Sequence, residues 1–327
     1  MNLPADFDLG VVIGKFLPPH RGHRFLIETA LSRCERVVVI VCGKPVDPIS
    51  PELRAGWLRE IVPAAEIMLI DDRYDENDSR VWAENTIGWL GRPPDVVFTS
   101  EGYGDAYAGH MGCVHVCVDP GRVTIPCSGT AVRSDPFTMW EFIDPPVRAW
   151  FVKRVVVVGA ESTGTTTLAM DLAQALKTEW VPEYGREYSE KKQAAGDEIW
   201  RSNEFLEIAR EQTRMEELAV RQANRILICD TNAFATCLWH RRYMGFDHEL
   251  LEEFAKRGRA DLYLLTGNEI PFVQDGLRDG EHIRHEMHQW FEEALARQPV
   301  PWVRIRGSAK ERLNSAMEAI QELLLTP

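Results

Sequence analysis

Two histidines near the start of the chain have the types and spacing of a phosphate-binding site. His20 and His23 flank Gly22 in the segment Gly14-Lys15-Phe16-Leu17-Pro18-Pro19-His20-Arg21-Gly22-His23. The apolar run Leu9–Ile13 precedes this segment and helical spacing follows it, so the segment joins a strand to a helix. A helix start offers unpaired backbone N–H groups and the positive end of the helix dipole. We predict a polyphosphate site here; the alternative is a proline-rich loop with two surface histidines.

A second cluster of phosphate-type groups stands further along the chain, in Ser128-Gly129-Thr130-Ala131-Val132-Arg133. This small turn carries two hydroxyls and ends in a guanidinium one helical turn into the next helix. Hydroxyls and backbone N–H groups at a helix start suit the β- or γ-phosphate of a nucleotide. The planar fork of Arg133 can hold two phosphate oxygens at once.

A third candidate loop, after the apolar run Val155–Val158, is Gly159-Ala160-Glu161-Ser162-Thr163-Gly164-Thr165-Thr166-Thr167. Its glycines have the spacing of a P-loop, and Thr166 stands where the Mg²⁺-binding hydroxyl belongs. Thr165 occupies the position of the P-loop lysine, which spans the β- and γ-phosphates. Losing one charge-assisted hydrogen bond is worth about 1.5–3 kcal/mol, whereas the backbone N–H groups of the loop survive the substitution. The pattern predicts nucleotide binding and leaves phosphoryl transfer open.

Asp230 is the candidate acidic ligand for Mg²⁺ in the second half of the chain. It ends the apolar run Ile226–Cys229, as the acid of a Walker-B strand does. The alternative is a helix N-cap before Ala233, because Asp favours that position.

Two polar segments could complete a kinase-type site. The first is Glu183-Tyr184-Gly185-Arg186-Glu187-Tyr188, whose rings, carboxylates and guanidinium would fit a ribose and a base; a plain charged turn is the alternative. The second is the loop Val273–Asp279, which contains Asp275 and a lone Arg278. This loop could close over phosphates as a lid, or it could be an ordinary surface turn.

The order of apolar patterns predicts an α/β fold with two domains. Strand-like runs occur at Leu9–Ile13, Arg36–Cys42, Glu66–Ile70, Asp95–Thr99 and Cys113–Val118, and helical patterns at Arg21–Ser32, Pro51–Ile61 and Ser79–Leu90. Repeated β–α units imply a parallel sheet with helices on both faces. We therefore expect a Rossmann-like parallel sheet in residues 1–150.

A second β–α series predicts a P-loop kinase-like parallel sheet in residues 151–327. Its strand-like runs are Val152–Gly159, Arg225–Asp230, Ala260–Thr266 and Pro301–Ile305, and its helical patterns are Thr166–Thr178, Ser202–Asn224, Ala233–Met244, His248–Arg257, His282–Gln298 and Ala309–Leu325. The charge pattern of Glu204–Glu217 predicts a solvated helix face. Between the halves, Asp135–Trp150 is rich in proline and aromatic residues, which predicts a packed connector with a short helix rather than a flexible linker.

Composition argues against several functional classes. The 327 residues carry a net charge of −13, and both halves are acidic, so we expect neither a nucleic acid nor a membrane partner. The seven scattered cysteines and the acidic start of the chain predict a cytoplasmic protein without a targeting signal. We expect no zinc at His110, Cys113, His115 and Cys117, because strand alternation would split these side chains between two faces.

The first two motifs together resemble the nucleotidyltransferase superfamily, which moves the adenylyl group of ATP. With the P-loop domain added, the whole chain resembles the NadR family. The resemblance implies that nicotinamide mononucleotide (NMN) and ATP give NAD and pyrophosphate in the first domain, with Mg²⁺ bridging phosphates. It also implies that the second domain phosphorylates ribosylnicotinamide to NMN. Because the first strand begins near residue 9, we expect the helix-turn-helix repressor module of some members to be absent.

The resemblance assigns roles to residues of both halves. It implies catalytic roles for His20, His23 and Arg133, and ATP binding by Gly14, Lys15, Phe16, Gly22, Ser128 and Thr130. Trp82 and Asn85 are the candidates to meet nicotinamide by stacking and hydrogen bonding, although a Trp on a helix also suits a core. In the second half, Thr166 and Asp230 are the expected Mg²⁺ ligands.

Other functions stay open at this stage. The first domain could accept pantetheine phosphate or flavin mononucleotide instead of NMN. The second domain could bind nucleotide as a sensor or scaffold without phosphoryl transfer. If it is a kinase, Arg278 or another basic side chain would have to replace the charge that Thr165 lacks.

Overall fold

The chain forms two five-stranded parallel sheets within the residues described by the computed structural model, 5–75, 78–197, 199–274 and 280–325. Each sheet belongs to a compact unit, Met1–Trp150 or Phe151–Pro327. Helices alternate with strands in both units, so the predicted α/β class is confirmed. Within the described ranges, no helix is long and apolar enough to cross a membrane.

The first unit has strand order β3-β2-β1-β4-β5. Its strands are β1 (Phe7–Gly14), β2 (Cys34–Gly43), β3 (Glu66–Asp71), β4 (Val96–Thr99) and β5 (Val114–Cys117). Its helices are α1 (Arg21–Leu31), α2 (Pro51–Ile61), α3 (Ser79–Leu90), α4 (Gly104–Met111), α5 (Gly129–Ser134) and α6 (Pro145–Phe151). The order reverses between β1 and β4, and ligands of open α/β sheets bind at such a switch point, outside the carboxyl ends of the strands.

Strand β2 shows why this sheet is covered on both faces. Val37, Val39 and Val41 pack in one hydrophobic cluster, which also holds residues of α1 and α2. Val38 and Ile40, which point the other way, pack in a second cluster with residues of α3 and α4. All five side chains are at most 1% exposed. Each contributes about 1.5–3 kcal/mol by burial, which explains an apolar run without polar alternation.

The connector at the end of the first unit is packed, as its composition predicted. A short 3-10 turn at Trp140–Phe142 precedes α6. Trp140 is buried, and the Arg148 guanidinium lies 5.3 Å from the centre of its ring. Arg148 Nε also donates to the Trp140 carbonyl at 3.1 Å.

The second unit has strand order β10-β9-β6-β8-β7. Its strands are β6 (Lys153–Val158), β7 (Trp180–Val181), β8 (Ile226–Asp230), β9 (Leu262–Thr266) and β10 (Trp302–Ile305). Its helices are α7 (Thr165–Leu176), α8 (Tyr184–Ala194), α9 (Ser202–Ala219), α10 (Ala233–Met244), α11 (Glu249–Lys256), α12 (Arg284–Arg297) and α13 (Ala309–Leu325). Strand β6 is central, so the loop that follows it lies at the middle of the sheet edge.

Helix α9 corrects the expectation of a solvated charged face for two of its acids. Other charged side chains of this helix are exposed as expected, namely Glu207, Arg210, Arg214 and Glu217. Glu204 and Glu216 are both buried. Glu204 accepts from Lys192 Nζ at 2.8 Å, and Glu216 accepts from Arg154 Nη1 at 3.5 Å. Burial raises the pKa of Glu216 to about 7, with Arg154 opposing the shift. Charge periodicity could not show this, because the cations come from other elements.

Candidate functional sites

A cleft of about 870 Å³ opens at the carboxyl ends of the strands of the first unit. It brings together most of the residues that the sequence singled out, namely Gly14, Lys15, Phe16, His20, Gly22, His23, Trp82, Ser128, Thr130 and Arg133. The predicted residue that does not line it, among those described, is Asn85. The Asn85 amide instead donates to the Val81 carbonyl of its own helix at 2.8 Å.

His20 and His23 form a stacked pair at the beginning of α1. Their ring centres are 3.7 Å apart and the rings are 28° from parallel. His20 is the N-cap of α1, and its Nδ1 accepts from the Gly22 backbone N–H at 3.1 Å. Because Nδ1 is the acceptor, a neutral His20 carries its proton on Nε2 and can donate from that atom. Phe16 packs edge-on against His23, with ring centres 5.0 Å apart.

Both imidazoles are neutral at pH 7. Burial, helped by the nearby Arg122 charge, lowers the pKa of His20 to about 4. Burial, His20 and Arg122 together lower the pKa of His23 well below its usual value. His23 Nδ1 is buried without a hydrogen-bond partner among the described residues. The pair can therefore donate hydrogen bonds to phosphate without adding positive charge.

Helix α5 and its N-cap pack against the loop that follows β1. Arg133 Nη1 donates to the Leu17 carbonyl, and Arg133 Nη2 donates to Thr130 Oγ1 at 3.3 Å. Ser128 caps α5 by accepting from the Ala131 N–H at 3.1 Å. A Cβ on Gly129 would lie 2.7 Å from the Leu17 carbonyl oxygen, so this close approach requires glycine. The two predicted motifs thus share one wall of the cleft.

The sequence did not reveal Arg54, a wholly buried arginine that holds the loops beneath the cleft. Its guanidinium donates to the carbonyls of Lys15, Cys42 and Ile49 and to the Asp47 carboxylate. The last of these bonds is 2.6 Å long. Burial lowers the pKa of Arg54, while Asp47 opposes the shift. Nothing in the spacing of α2 distinguishes this arginine from a surface one.

Arg122 is another arginine that the sequence analysis missed. It lines the cleft, and its φ of 50° is left-handed. The Asp119 carboxylate fixes the loop by accepting from the backbone N–H groups of Val123, Thr124 and Ile125. These hydrogen bonds lower the pKa of Asp119. The Asp-Pro-Gly sequence after β5 is the signal that could have marked this loop.

Trp82 lines the cleft from α3 but also belongs to an aromatic cluster. Its ring centre lies 5.3 Å from that of Tyr74 and 6.2 Å from that of Trp89. Its indole N–H donates to the Asp75 carbonyl at 2.9 Å. One part of the ring is therefore held in place while another borders the cleft.

The segment 159–167, whose glycine spacing predicts a P-loop, has the expected strand–loop–helix arrangement. Gly164 has a φ of 82° and is the N-cap of α7. A Cβ on Gly159 would lie 2.3 Å from Thr266 Oγ1, so the loop can run against the end of β9 only with glycine there. Thr163 Oγ1 donates to the Ala160 carbonyl at 2.7 Å and lies 2.7 Å from Thr266 Oγ1. Of the predicted loop residues, Ser162, Thr163, Gly164 and Thr167 are not among the described residues that line the adjoining cavity.

Thr166 and Asp230 meet at the carboxyl end of β8. The Thr166 hydroxyl donates to Asp230 Oδ2 at 2.6 Å. Burial raises the pKa of Asp230 to about 6, although the hydrogen bonds from Thr166 and Thr165 oppose this shift. The N-cap of α10 is Asn232, so the capping alternative for Asp230 is wrong. A hydroxyl and a carboxylate are the oxygen ligands that Mg²⁺ takes beside a nucleotide.

Three arginines from distant parts of the chain contact the P-loop, which lacks its lysine. Arg312 Nη1 donates to the Thr163 carbonyl at 2.6 Å. Arg284 Nη2 donates to the Ser162 carbonyl at 2.9 Å. Arg242 Nη1 pairs with the Glu161 carboxylate. All three guanidinium groups are largely buried. Their separation from the loop in sequence hid them from motif analysis.

A cavity of about 140 Å³ adjoins the P-loop. The lining includes predicted residues and four aromatic ones that the sequence analysis missed: Glu161, Thr165, Thr166, Glu183, Arg186, Asp230, Trp200, Phe205, Trp239 and Tyr243. The Trp200 ring centre lies 5.0 Å from Phe205 and 5.2 Å from Tyr243. Tyr184 is not in the described lining; its backbone N–H donates to Gln212 at 2.9 Å.

The proposed lid falls partly outside the described residues. Asp275 and Arg278 lie in the range 275–279, which the structure does not describe. Immediately before that range, the Val273 backbone N–H donates to Ser162 Oγ at 2.8 Å. After it, the Gly280 N–H donates to Glu161 Oε2 at 2.8 Å. Both ends of the segment therefore contact the P-loop.

The fold and these two sites define a two-unit α/β protein of the nucleotide-binding class. The model of the AAA domain family matches residues 154–312. The trifunctional NAD biosynthesis/regulator protein NadR of Escherichia coli (strain K12) is 30% identical over 344 residues, covering 97% of this chain and 83% of the relative. The NadR protein of Salmonella typhimurium (strain LT2) is 28% identical, with the same coverage. The chain belongs to the NadR family.

Solved NadR structures share the fold along the whole chain. A NadR protein crystallised in complex with NR has a TM-score of 0.81 at 22% identity, covering 98% of this chain and 97% of that one. A NadR protein in complex with NAD and AMP-PNP has a TM-score of 0.76 at 22% identity, covering 99% and 98%. At this identity the likeness shows the fold alone.

Proposed function

We propose that this protein works in NAD biosynthesis and that Met1–Trp150 transfers the adenylyl group of ATP to NMN. The observation that carries the proposal is the convergence of His20, His23 and Arg133 on one cleft of about 870 Å³. A cleft of that size is large enough for two nucleotides side by side. The name of the curated relatives supports a role in NAD biosynthesis, and the NadR structure in complex with NAD and AMP-PNP supports binding of such nucleotides.

The reaction needs positioning and charge stabilisation rather than a protein nucleophile. An oxygen of the NMN 5′-phosphate attacks the α-phosphorus of ATP and forms the new P–O bond. The bond from the α-phosphorus to the bridging oxygen breaks, and pyrophosphate leaves with the electron pair. His20 and His23 donate to the α-phosphate oxygens, on which charge develops. Arg133, Ser128 and Thr130 hold the β- and γ-phosphates, with the Gly14–Phe16 loop and Gly22 against the nucleotide.

The test is product formation by the purified full chain. NMN, ATP and Mg²⁺ should give NAD and pyrophosphate in equal amounts. A parallel screen should replace NMN by its deaminated relative, pantetheine phosphate or flavin mononucleotide. Turnover of one of the last two in place of NMN would assign a different acceptor. Absence of pyrophosphate with every acceptor, from protein that melts cooperatively, would refute adenylyl transfer.

We further propose that Phe151–Pro327 phosphorylates ribosylnicotinamide. The pairing of Thr166 with Asp230 at the edge of the aromatic cavity favours this second activity. The Thr166 hydroxyl and the Asp230 carboxylate would hold Mg²⁺, which when bound neutralises phosphate charge. The aromatic side chains of Trp200 and Tyr243 would stack the pyridine ring, with Glu183 and Arg186 near the ribose. The three arginines keep the loop shape that presents its N–H groups to phosphates.

Release of ADP on addition of ribosylnicotinamide tests the kinase and separates it from a nucleotide sensor. A kinase gives ADP and NMN in equal amounts, whereas a sensor binds ATP without releasing ADP. The Thr165→Lys variant adds a second measurement. A large gain in the kinase rate would show that the natural loop is limited by the missing charge. An unchanged rate, with ATP still bound, would show that the arginines or the loop backbone already supply what the lysine does elsewhere.

A further inference from the structure

Asp72 is a buried acid in the cleft of the first unit that the reaction described above does not use. It directly follows β3, and its backbone N–H donates to the Gly43 carbonyl at the end of β2 at 3.0 Å. The residue is 5% exposed and lines the cleft. Lys44 Nζ lies 3.8 Å from its Oδ2. Its Oδ1 is buried and has no hydrogen-bond partner among the described residues.

A buried carboxylate oxygen such as Asp72 Oδ1 needs a hydrogen-bond donor. Buried polar atoms in folded proteins are nearly always hydrogen-bonded, to protein, to ordered water or to a ligand. A carboxylate only accepts hydrogen bonds when it is ionised. Since Asp72 lines the cleft, the missing donor is an N–H or O–H group of whatever occupies that part of the cleft.

The topology identifies which part of the ligand reaches Asp72. Strand β3 lies two strands from β1 on one side, and β4 and β5 lie on the other. The Ser128–Arg133 segment follows β5 in the chain and contacts the loop after β1 at Leu17. With strands about 4.8 Å apart, the end of β3 is about 10 Å from the end of β1. That distance is close to the span of a mononucleotide from its phosphate to its base. With phosphates at His20 and His23, the base of the acceptor therefore lies towards Asp72 and Trp82.

We propose that Asp72 is a specificity-determining residue that selects an acceptor base ending in an uncharged amide. This inference rests on the proposed adenylyl transfer. The Asp72 carboxylate accepts a hydrogen bond from the carboxamide NH₂ of NMN, while the edge of the cleft at Trp82 contacts the ring. The deaminated acceptor, which ends in a carboxylate, has no such donor and brings a second negative charge against Asp72. Like charges opposed in a desolvated site disfavour binding strongly.

The test compares the two acceptors with the full chain and its Asp72→Asn variant. We measure kcat/KM for NMN and for its deaminated relative, with ATP and Mg²⁺ held constant. The ratio of the two values should fall by about tenfold or more in the variant, because a site built to pair one polar group rejects the analogue that lacks it. Part of this change should be a higher kcat/KM for the deaminated acceptor, because the introduced amide can donate a hydrogen bond to its carboxylate.

Asp71→Asn is the matched control. Asp71 precedes Asp72 directly and has the same charge, but its exposed carboxylate accepts from Arg73 Nε at 2.7 Å. The acceptor ratio should stay unchanged in this variant. A merely structural role of Asp72 would lower turnover of both acceptors by the same factor, with a lower melting temperature and no change in their ratio, and that result would overturn the inference.

If the proposed adenylyl transfer is wrong, the same experiment gives a different result. Wild-type protein would then form no dinucleotide from either acceptor, and the inference would fall with it. If Asp72→Asn does not fold, Asp72→Glu keeps the charge on a longer side chain. Weaker use of NMN with continued rejection of the deaminated acceptor supports the inference. Unchanged use of both acceptors by the Glu variant contradicts it.

Discussion

At the scale of single residues, the stacked histidines are the most specific feature of the first cleft. Both rings are kept neutral by burial, and the Gly22 N–H fixes the neutral form of His20 that donates from Nε2. A neutral donor does not bind pyrophosphate as tightly as a cation would. The pair therefore suits a reaction in which charge moves from the α-phosphate to a leaving group that must depart.

Replacing His23 by Ala should slow adenylyl transfer without unfolding the protein. We expect kcat to fall by about tenfold or more, because one donor to the transition-state charge is lost. The melting temperature should change little, since the ring lies at the cleft rather than in the core. The control is His110→Ala, an exposed histidine of the same unit. A large loss of stability with nearly normal turnover would instead assign His23 to packing.

The pH profile should lack the inflection that an ordinary histidine gives. The pKa of His20 is about 4 in the folded protein, below the unperturbed 6.5. The unfolded chain therefore takes up the proton first, and the stabilisation that the neutral ring gives is lost as pH falls from 6.5 towards 4. We expect kcat at saturating NMN and ATP, measured across pH 5 to 8, to show no histidine step near 6.5; kcat is used because kcat/KM also reports the ionisation of the substrates' phosphates. A clear step there would contradict the neutral pair.

At the scale of elements, the cleft depends on contacts between loops that follow different strands. The beginning of α5 contacts the loop after β1 at Gly129, and Arg54, near the beginning of α2, connects that loop to the end of β2. The ends of helices and strands carry the residues of the site, but these loop contacts determine how far apart those residues lie.

Gly129→Ala should disturb this arrangement. The new Cβ would lie 2.7 Å from a backbone oxygen of Leu17, which cannot rotate away as a side chain could. We expect a loss of about 1–3 kcal/mol in unfolding free energy from the forced shift. We also expect lower kcat/KM, because Arg133 moves with the turn. The control is Gly109→Ala, where no atom lies within 4 Å of the added Cβ. Equal behaviour of the two variants would show that the contact is unimportant.

The sequence predicted elements better than the contacts between them. Pro51–Ile61 and Ser79–Leu90 have the predicted bounds because a cap or a proline begins each helix and apolar spacing runs through it. Helix α8 was missed because Tyr184–Ala194 is dominated by polar residues. The two-residue strand β7 is too short for any periodicity. Arg54 and Arg312 were missed because burial of an arginine depends on carbonyls that the fold supplies from distant residues.

At the scale of the whole molecule, each unit has its own sheet, core and candidate site. The hydrophobic clusters of the first unit contain residues below 151, and those of the second contain residues above it. The described residues that line each site all come from one unit. The chemistry of the two halves is therefore expected to be separable by point substitution.

Paired variants of the full chain test this separation. His23→Ala should reduce NAD formation while ADP release with ribosylnicotinamide stays at the wild-type rate. Asp230→Asn should do the reverse, because it removes the acid that Thr166 meets and leaves the first cleft intact. Both rates are measured on each protein. Loss of both activities in either variant, with an unchanged melting curve, would mean that the two halves depend on each other.

The placement of tryptophans has a practical consequence. Trp82 borders the first cleft, whereas Trp200 and Trp239 line the cavity of the second unit. Each half therefore contains its own intrinsic fluorophore, and a ring that stacks on a pyridine base should lose emission. Titration with NMN should quench a signal that Trp82→Phe removes, and titration with ribosylnicotinamide a signal that Trp200→Phe removes. Occupancy of each half could then be followed without a label, in the variant that lacks the other half's responding tryptophan, before any chemistry begins.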